Sequence, residues 1–408
     1  MRSLVLKPFP NEVRGDDIVR RCLVSRPDGS NGLEEELWFQ FPNNLACPLA
    51  DDCDSYVIAM LMNAMRERRN IIVHGSVSKK LLSNLVEFQA VWHKWEPVEL
   101  QLVEVQADTL RQGETPIPGA VCAFSGGLDA TFMVWRNSQN KNSYRSQKIN
   151  FCTMLHGFDI PLENTQAFDN SLKIAGETLA DLGLKVIPIR TNFKELQYKN
   201  WKYTHGTTLV AVLNNFKLLA GTGMIASSEG YSRAMTPWGS NPLTDHLMSS
   251  DGFEIINDGA SHDRVEKAKA ISEWKVGVDN LRVCWELEYL GRNCGKCEKC
   301  LRTQFEFLAC NLPIPKCFPA NTDLKQALRH IRLKNDLTRG EWLEIIEHGR
   351  KNKMEPELIN AAYALIQRRP LVKVLLRQNI VDILFPKGSQ LRETIKKLSL
   401  KLRRRKKG

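Results

Sequence analysis

No stretch of this chain stays apolar for the length of a membrane span, so a transmembrane helix is excluded. The opening Met1-Arg2-Ser3-Leu4-Val5-Leu6 meets Lys7 and Pro8 too soon to act as a secretory signal. Cysteine occurs eleven times, an odd number with no regular framework, which argues against a disulfide scaffold. A reducing compartment, the cytoplasm, is the expectation. No glycine-rich segment carries the Lys-Ser/Thr ending of a Walker loop. The histidines His156, His205 and His262 have no spacing that would group them as metal ligands.

What remains is ordinary globular material. Apolar residues make up 43% and charged residues 25% of 408 positions, enough for two or three domains with normal cores. The net charge of +11 is uneven. Lys396–Gly408 holds eight basic residues and no acidic one. Such a run reads either as an arm for nucleic acid or another acidic surface, or as a solvated terminus without a partner.

Three blocks follow from the pattern. Residues 1–117 form an N-terminal α+β segment. Glu36–Phe41 alternates as a strand, and Asp54–Arg68 has helical spacing. Ile71–His74 is a short strand, and Ser78 is placed to cap a following helix. Gln112–Gly119 reads as a linker. Residues 118–310 alternate strand and helix, with strands at Val121–Phe124, Asn150–Leu155, Lys185–Ile189, Met224–Ser227 and Phe253–Ile256. Helices are expected from about Ala130, Leu162, Thr207 and His262. That alternation predicts an α/β fold with a parallel sheet covered on both faces. Residues 311–408 read as helical, through Leu324–Ile331, Gly340–Glu347 and a helix opening at Pro370.

The most informative segment is Phe124-Ser125-Gly126-Gly127-Leu128-Asp129-Ala130-Thr131. A short apolar strand runs into a Ser-Gly-Gly turn and then a helix. The glycines allow a tight turn, and the amides of turn and helix N-terminus suit an anion, above all a phosphate. Ser125 and Thr131 can add hydroxyls, and Asp129 can orient the turn or help hold Mg2+ between phosphate oxygens. A glycine-rich βα turn without a ligand is the plain alternative. Ligands of such sheets sit beyond the strand C-termini. That rule gathers Ser125–Thr131, Leu155–His156, Arg190 and Ser227–Gly230 at one edge. Arg190 is either a phosphate or carboxylate partner or a surface ion-pair residue.

Downstream, Cys294-Gly295-Lys296-Cys297-Glu298-Lys299-Cys300 is a Cys-x2-Cys-x2-Cys run, with Cys284 ten positions earlier. Four thiolates in one loop suit a tetrahedral structural Zn2+. Iron–sulfur ligation is the rival, and unliganded buried cysteine the plain reading.

Together these signals resemble the 7-cyano-7-deazaguanine synthase (QueC) family of PP-loop ATP pyrophosphatases. The matching residues are Ser125–Thr131, Cys284, Cys294, Cys297, Cys300 and Arg302, within about half the chain, Pro118–Cys310. The added terminal segments resemble the QatC type found in bacterial antiphage operons. The resemblance implies a PP-loop core that binds ATP through Phe124–Thr131 and through Leu155 and Arg190. It implies substrate contacts at Ser227, Glu229, Gly230 and Trp238, with Ser125, Asp129, Arg264 and Lys267 serving catalysis. It implies a structural zinc on the four cysteines. The implied reaction is adenylation of a small-molecule carboxylate of 7-deazaguanine type, with pyrophosphate released and an amine then displacing AMP.

The chain departs from that family in three places. Ala130 stands where the family has Ser, Leu155-His156-Gly157-Phe158-Asp159 replaces a characteristic segment, and Pro237–Leu243 is rewritten. No recognisable glutaminase segment is present, so nitrogen is expected from ammonia or from a protein or nucleic-acid amine of the same operon. A tRNA-modifying PP-loop enzyme and a non-catalytic nucleotide-binding scaffold remain as alternatives. For thiolation, Cys122 and Cys152 fall on strands expected to be buried.

Overall fold

The computed structural model describes residues 2–27, 33–196, 200–284, 286, 291–320, 322–333 and 335–368. The basic tail and the helix expected at Pro370 lie outside the described residues. Among the described residues no helix is long and apolar enough to cross a membrane.

The N-terminal residues form strands β1 (Ser3–Pro8), β2 (Glu12–Arg14), β3 (Asp17–Arg26), β4 (Leu33–Pro42), β5 (Asn70–Ser78) and β6 (Val105–Arg111). Helices α1 (Asp54–Glu67) and α2 (Lys79–Trp95) flank β5 in sequence. Ser78 caps α2, its hydroxyl accepting from the Leu81 amide at 3.3 Å, as expected from the sequence. Next come β7 (Ala120–Ala123), α3 (Leu128–Ser138), β8 (Ile149–His156), α4 (Thr165–Ala180), β9 (Val186–Thr191), α5 (Phe193–Leu196) and α6 (Trp201–Leu213). Then follow β10 (Thr222–Ala226), β11 (Glu254–Asp258), α7 (Arg264–Ile271), α8 (Lys275–Asp279) and α9 (Glu298–Leu308). Helices α10 (Leu324–His330), α11 (Asp336–Lys351) and α12 (Pro356–Gln367) end the described chain.

The fold is α/β, built on one mixed sheet of eleven strands in the order β11-β10-β7-β8-β9-β4-β3-β1-β5-β6, with β2 beside β3. The five strands β11, β10, β7, β8 and β9 are all parallel. Both faces of the central strand β7 are buried. Val121 and Ala123 of β7 join the core under α1 and α6, whereas Ala120, Cys122 and Phe124 join the core under α3, α4 and α7. Successive side chains of a strand point to opposite faces, and an all-apolar strand therefore needs helices on both.

The N-terminal strands extend the same sheet. β4 runs antiparallel to β9, pairing Phe39 with Thr191 and Gln40 with Arg190. Asn192 continues the seam with its side chain, accepting from the Trp38 amide at 3.1 Å and donating to the Glu36 carbonyl at 2.7 Å. Helix α6 begins at Trp201, ahead of the expected Thr207. Gly206 sits inside it because a Cβ there would collide with the Gly239 backbone. Helices α10, α11 and α12 share a separate core with α7 and α9, centred on Trp342, Leu301 and Phe305.

Candidate active site and metal centre

Chain order reverses between β7 and β10, which lie side by side with β8 on the other flank of β7. Ligands of open α/β sheets bind beyond the strand C-termini at such a switch point. A cleft of about 910 Å3 opens there. Phe124, Ser125, Asp129, Ala130, Leu155, Glu229, Trp238 and Arg264 line it. Gly127 and Leu128 line a smaller recess of about 100 Å3 beside the turn.

The turn has the geometry its glycines suggest. Gly126 has φ of +76°, in the left-handed region that favours glycine. Gly127 is the N-cap of α3 and donates its amide to Ser125 Oγ at 3.2 Å. The amides of Leu128, Asp129 and Ala130 open the helix and have no acceptor within it. They concentrate partial positive charge at the cleft.

Asp129 is held from both sides. Its Oδ1 accepts from Lys267 Nζ at 3.0 Å, and its Oδ2 pairs with Arg264 Nη1. Lys267 also donates to the Ser227 carbonyl at 2.5 Å, and Arg264 Nε donates to Glu306 at 2.7 Å. Burial alone raises the Asp129 carboxyl, but Arg264 and Lys267 outweigh it and hold it below its ordinary value. Burial works against the Arg264 guanidinium, and Asp129 and Glu306 raise it nonetheless. Glu229 is pushed up by burial, against the pull of Arg233.

Not every expected residue joins the cleft. Thr131 is buried and does not line it. Lys267 lies beneath it, reaching the site only through Asp129. Ser227 is buried, its hydroxyl donating to the Glu229 carbonyl at 2.7 Å. Gly230 is half-buried and does not line the cleft, and Arg190 is exposed on β9 with its backbone paired to β4. Cys122 and Cys152 are buried on the central strands.

Sequence reading missed much of the wall. Phe158, Trp201 and His205 join Trp238, the one ring expected there from the sequence, in a chain of ring contacts, with Phe158 and Trp201 edge-on at 4.3 Å. His205 accepts from the Ser240 amide at 3.1 Å, and burial pushes its imidazole down to about 4. Nothing in the spacing of Trp201 and His205 marked them, because a helix and a distant loop bring them to Trp238. Arg282, Lys299 and Arg302 also line the cleft. So do Ile331, Asn335, Thr338 and Glu341 of the C-terminal helical region.

The four cysteines converge. Cys284, Cys294, Cys297 and Cys300 place their sulfurs within 4.8 Å of one another. Cys284 and Cys297 are 3.8 Å apart, and Cys294 and Cys300 3.9 Å. A Zn–S bond of about 2.3 Å gives a tetrahedron with edges of about 3.8 Å. The set therefore fits a single tetrahedral ion such as zinc. An iron–sulfur cluster interposes several irons between its thiolates and would hold them further apart. The loop is built for the turn, since Gly295 has φ of +74° and a Cβ there would meet Pro319 at 2.9 Å. Amides of Glu286 and Cys297 donate to Cys284 and Cys294 sulfur at 3.4 and 3.2 Å. Such outer contacts fix ligand orientation.

Comparison of the chain with protein-family models, with curated proteins and with solved structures finds no match.

Proposed function

We propose that this chain activates a carboxylate with ATP, releasing pyrophosphate, and passes the acyl group to ammonia or to a partner amine. The observation that carries this reading is the position of the Ser125-Gly126-Gly127 turn: it opens α3 at the switch point and faces the large cleft. The ATP phosphates would lie on the turn and the first amides of α3. The Leu155 backbone at the end of β8 would meet the adenine. Arg264 would neutralise charge growing on the leaving pyrophosphate, the place where fixed cations help most. The ring-lined part of the cleft, with Trp238, suits a flat heteroaromatic acid of the 7-deazaguanine kind.

Atoms balance simply. A carboxylate oxygen bonds to the α-phosphorus and the bond to pyrophosphate breaks. The nitrogen of ammonia or an amine then bonds to the acyl carbon, AMP leaves, and the nitrogen loses a proton. Mg2+ would arrive with ATP, bridging phosphate oxygens with few protein ligands. Zn2+ is the proposed resident ion of the four cysteines, in a structural role. An antiphage setting rests on the family resemblance alone.

A second reading is favoured by one observation. Both oxygens of Asp129 are already engaged by cations, which suits nucleotide binding without turnover. Pyrophosphate release from ATP and Mg2+, with and without 7-carboxy-7-deazaguanine, separates the two. Release that needs the acid and disappears in Asp129→Ala supports the first. ATP binding without release, across this and other carboxylates, refutes it.

A further inference from the structure

The residues just before Cys284 hold the anion turn by its carbonyls, at the edge of the cleft that Arg282 also lines. The Arg282 amide donates to the Gly126 carbonyl at 2.8 Å, and Arg282 Nε donates to the Ser125 carbonyl at 3.1 Å. Both carbonyls of the turn therefore have Arg282 as their donor, which fixes the path of the turn into α3. The approach is close, since a Cβ on Gly126 would lie 3.4 Å from the Arg282 Cβ.

Arg282 is in turn fixed by the metal loop. Asn293, which precedes Cys294, accepts from the amides of Val283 and Cys284 at 2.9 and 3.2 Å and donates to the Leu281 carbonyl at 2.7 Å. One buried amide side chain thus grips the backbone on both sides of Arg282. The chain of contacts runs from Cys284 and Cys294, through Asn293, to Arg282 and then to Ser125 and Gly126. It passes through backbone and hydrogen bonds of fixed geometry.

We propose that Arg282 is a positioning residue that couples the four-cysteine metal centre to the anion turn, so that a bound metal raises affinity for the polyphosphate of a nucleotide. The inference rests on the nucleotide reading above, and it adds a link between two sites which that reading leaves independent. Loss of the ion would free the segment at 281–284, and the turn carbonyls would lose their tether. Coupling of this kind is reciprocal: the nucleotide must tighten metal binding by the same factor.

The test is a linkage measurement on the full, metal-loaded chain. Metal affinity is read by competition with a chromophoric chelator, with and without saturating α,β-methylene-ATP and Mg2+, and nucleotide affinity by calorimetry. The expected result is metal binding about tenfold tighter with the nucleotide analogue, a size typical of coupled sites. Arg282→Met removes the Nε bond to Ser125 and keeps the backbone bond to Gly126, so a chain that still carries one metal should lose a measurable part of that factor. Arg282→Lys keeps the charge but lacks the planar Nε–H donor and should not restore it. Equal metal affinity with and without bound analogue in the wild type overturns the proposal, as does full coupling in Arg282→Met. If the loaded wild type binds no analogue at all, the nucleotide reading falls and this inference with it. Binding without coupling removes only the inference.

Discussion

Replacing Asp129 with asparagine tests the ion cluster on which the turn rests. Asparagine keeps the shape and removes the charge. The wild-type carboxylate receives one hydrogen bond from Lys267 and one from Arg264. Each bond to a charged partner contributes about 1.5–3 kcal/mol, and removing one member of a buried ion pair costs roughly 3–5 kcal/mol. Two features soften the loss. Arg264 keeps Glu306, and Lys267 keeps the Ser227 carbonyl. About 3 kcal/mol is therefore the expected cost, read from urea midpoints with unchanged slope. The pH dependence has a definite sign. The folded carboxyl lies below its ordinary 3.8, so its contribution is complete above that value and is lost as pH falls through the lowered one. The gap between variant and wild type should stay flat from about pH 8 to pH 5 and narrow only below the ordinary carboxyl value. A cost under about 1 kcal/mol, or a gap that widens on acidification, would refute the reasoning.

Burial holds the His205 imidazole near 4, so it stays neutral in the fold while an unfolded chain takes up a proton. Stability contributed by this group is present above about pH 6.5 and drains away toward pH 4, by roughly 3 kcal/mol in all. An imidazole resonance titrating near its ordinary value would count against the packing described for that wall. Metal analysis of the purified chain should give about one tetrahedral ion per molecule, and Cys297→Ser should release it, because three thiolates leave the site incomplete. Two or more irons per chain, with visible charge-transfer absorption, would replace the single-ion description by a cluster. The pair formed by Arg136 and Asp258 is buried at the end of β11, with Asn137 Nδ2 donating to the same carboxylate at 3.1 Å. Asp258→Asn should cost about 3–5 kcal/mol, and a neutral result in chemical unfolding would mean that the network relaxes around the amide.

The α/β core was legible because its strands obey simple rules. All five parallel strands carry apolar residues on both faces and end in turns rich in glycine or polar residues. The four cysteines were equally plain, since their spacing alone brings sulfurs together. Strand β3 shows why other parts were opaque. Its alternation is genuine, but Arg20 and Arg26 occupy inward positions. Arg20 donates to the Asp52 carbonyl at 2.7 Å and to Asn215, and Arg26 pairs with Glu35 and Glu67. A buried arginine held by such partners reads in sequence as a surface residue. The cleft wall was hidden for a different reason. Trp201, His205 and Trp238 meet only because Gly206 and Gly239 let a helix and a loop touch backbone to backbone. Long-range contact of that sort leaves no local period. Arg190 shows the opposite failure. Placing it at a strand end was sound, but β4 pairs with that end, and the exposed Arg190 is not among the residues that line the cleft.

Helix α9 explains why the metal centre, the cleft and the C-terminal helices form one construction. Its N-cap is Cys297, and Cys300 follows one turn later. Lys299 and Arg302, between and beyond these ligands, line the cleft. Its first residue, Glu298, accepts from Trp342 Nε1 of α11 at 3.0 Å, and Phe305 packs edge-on against the same indole at 5.2 Å. Arg302 pairs with Glu341, and Arg264 of α7 reaches Glu306 on the helix's inner face. A helix that carries two of the four converging cysteines at its start and packs along its length on a tryptophan has little freedom to rotate. The two cations it presents to the cleft, Lys299 and Arg302, are therefore set by folding before any ligand arrives. Preorganised charge of this kind needs no rearrangement when an anion binds. The cysteine loop thus does more than staple the chain: the helix it opens sets where Lys299 and Arg302 stand relative to the Ser-Gly-Gly turn.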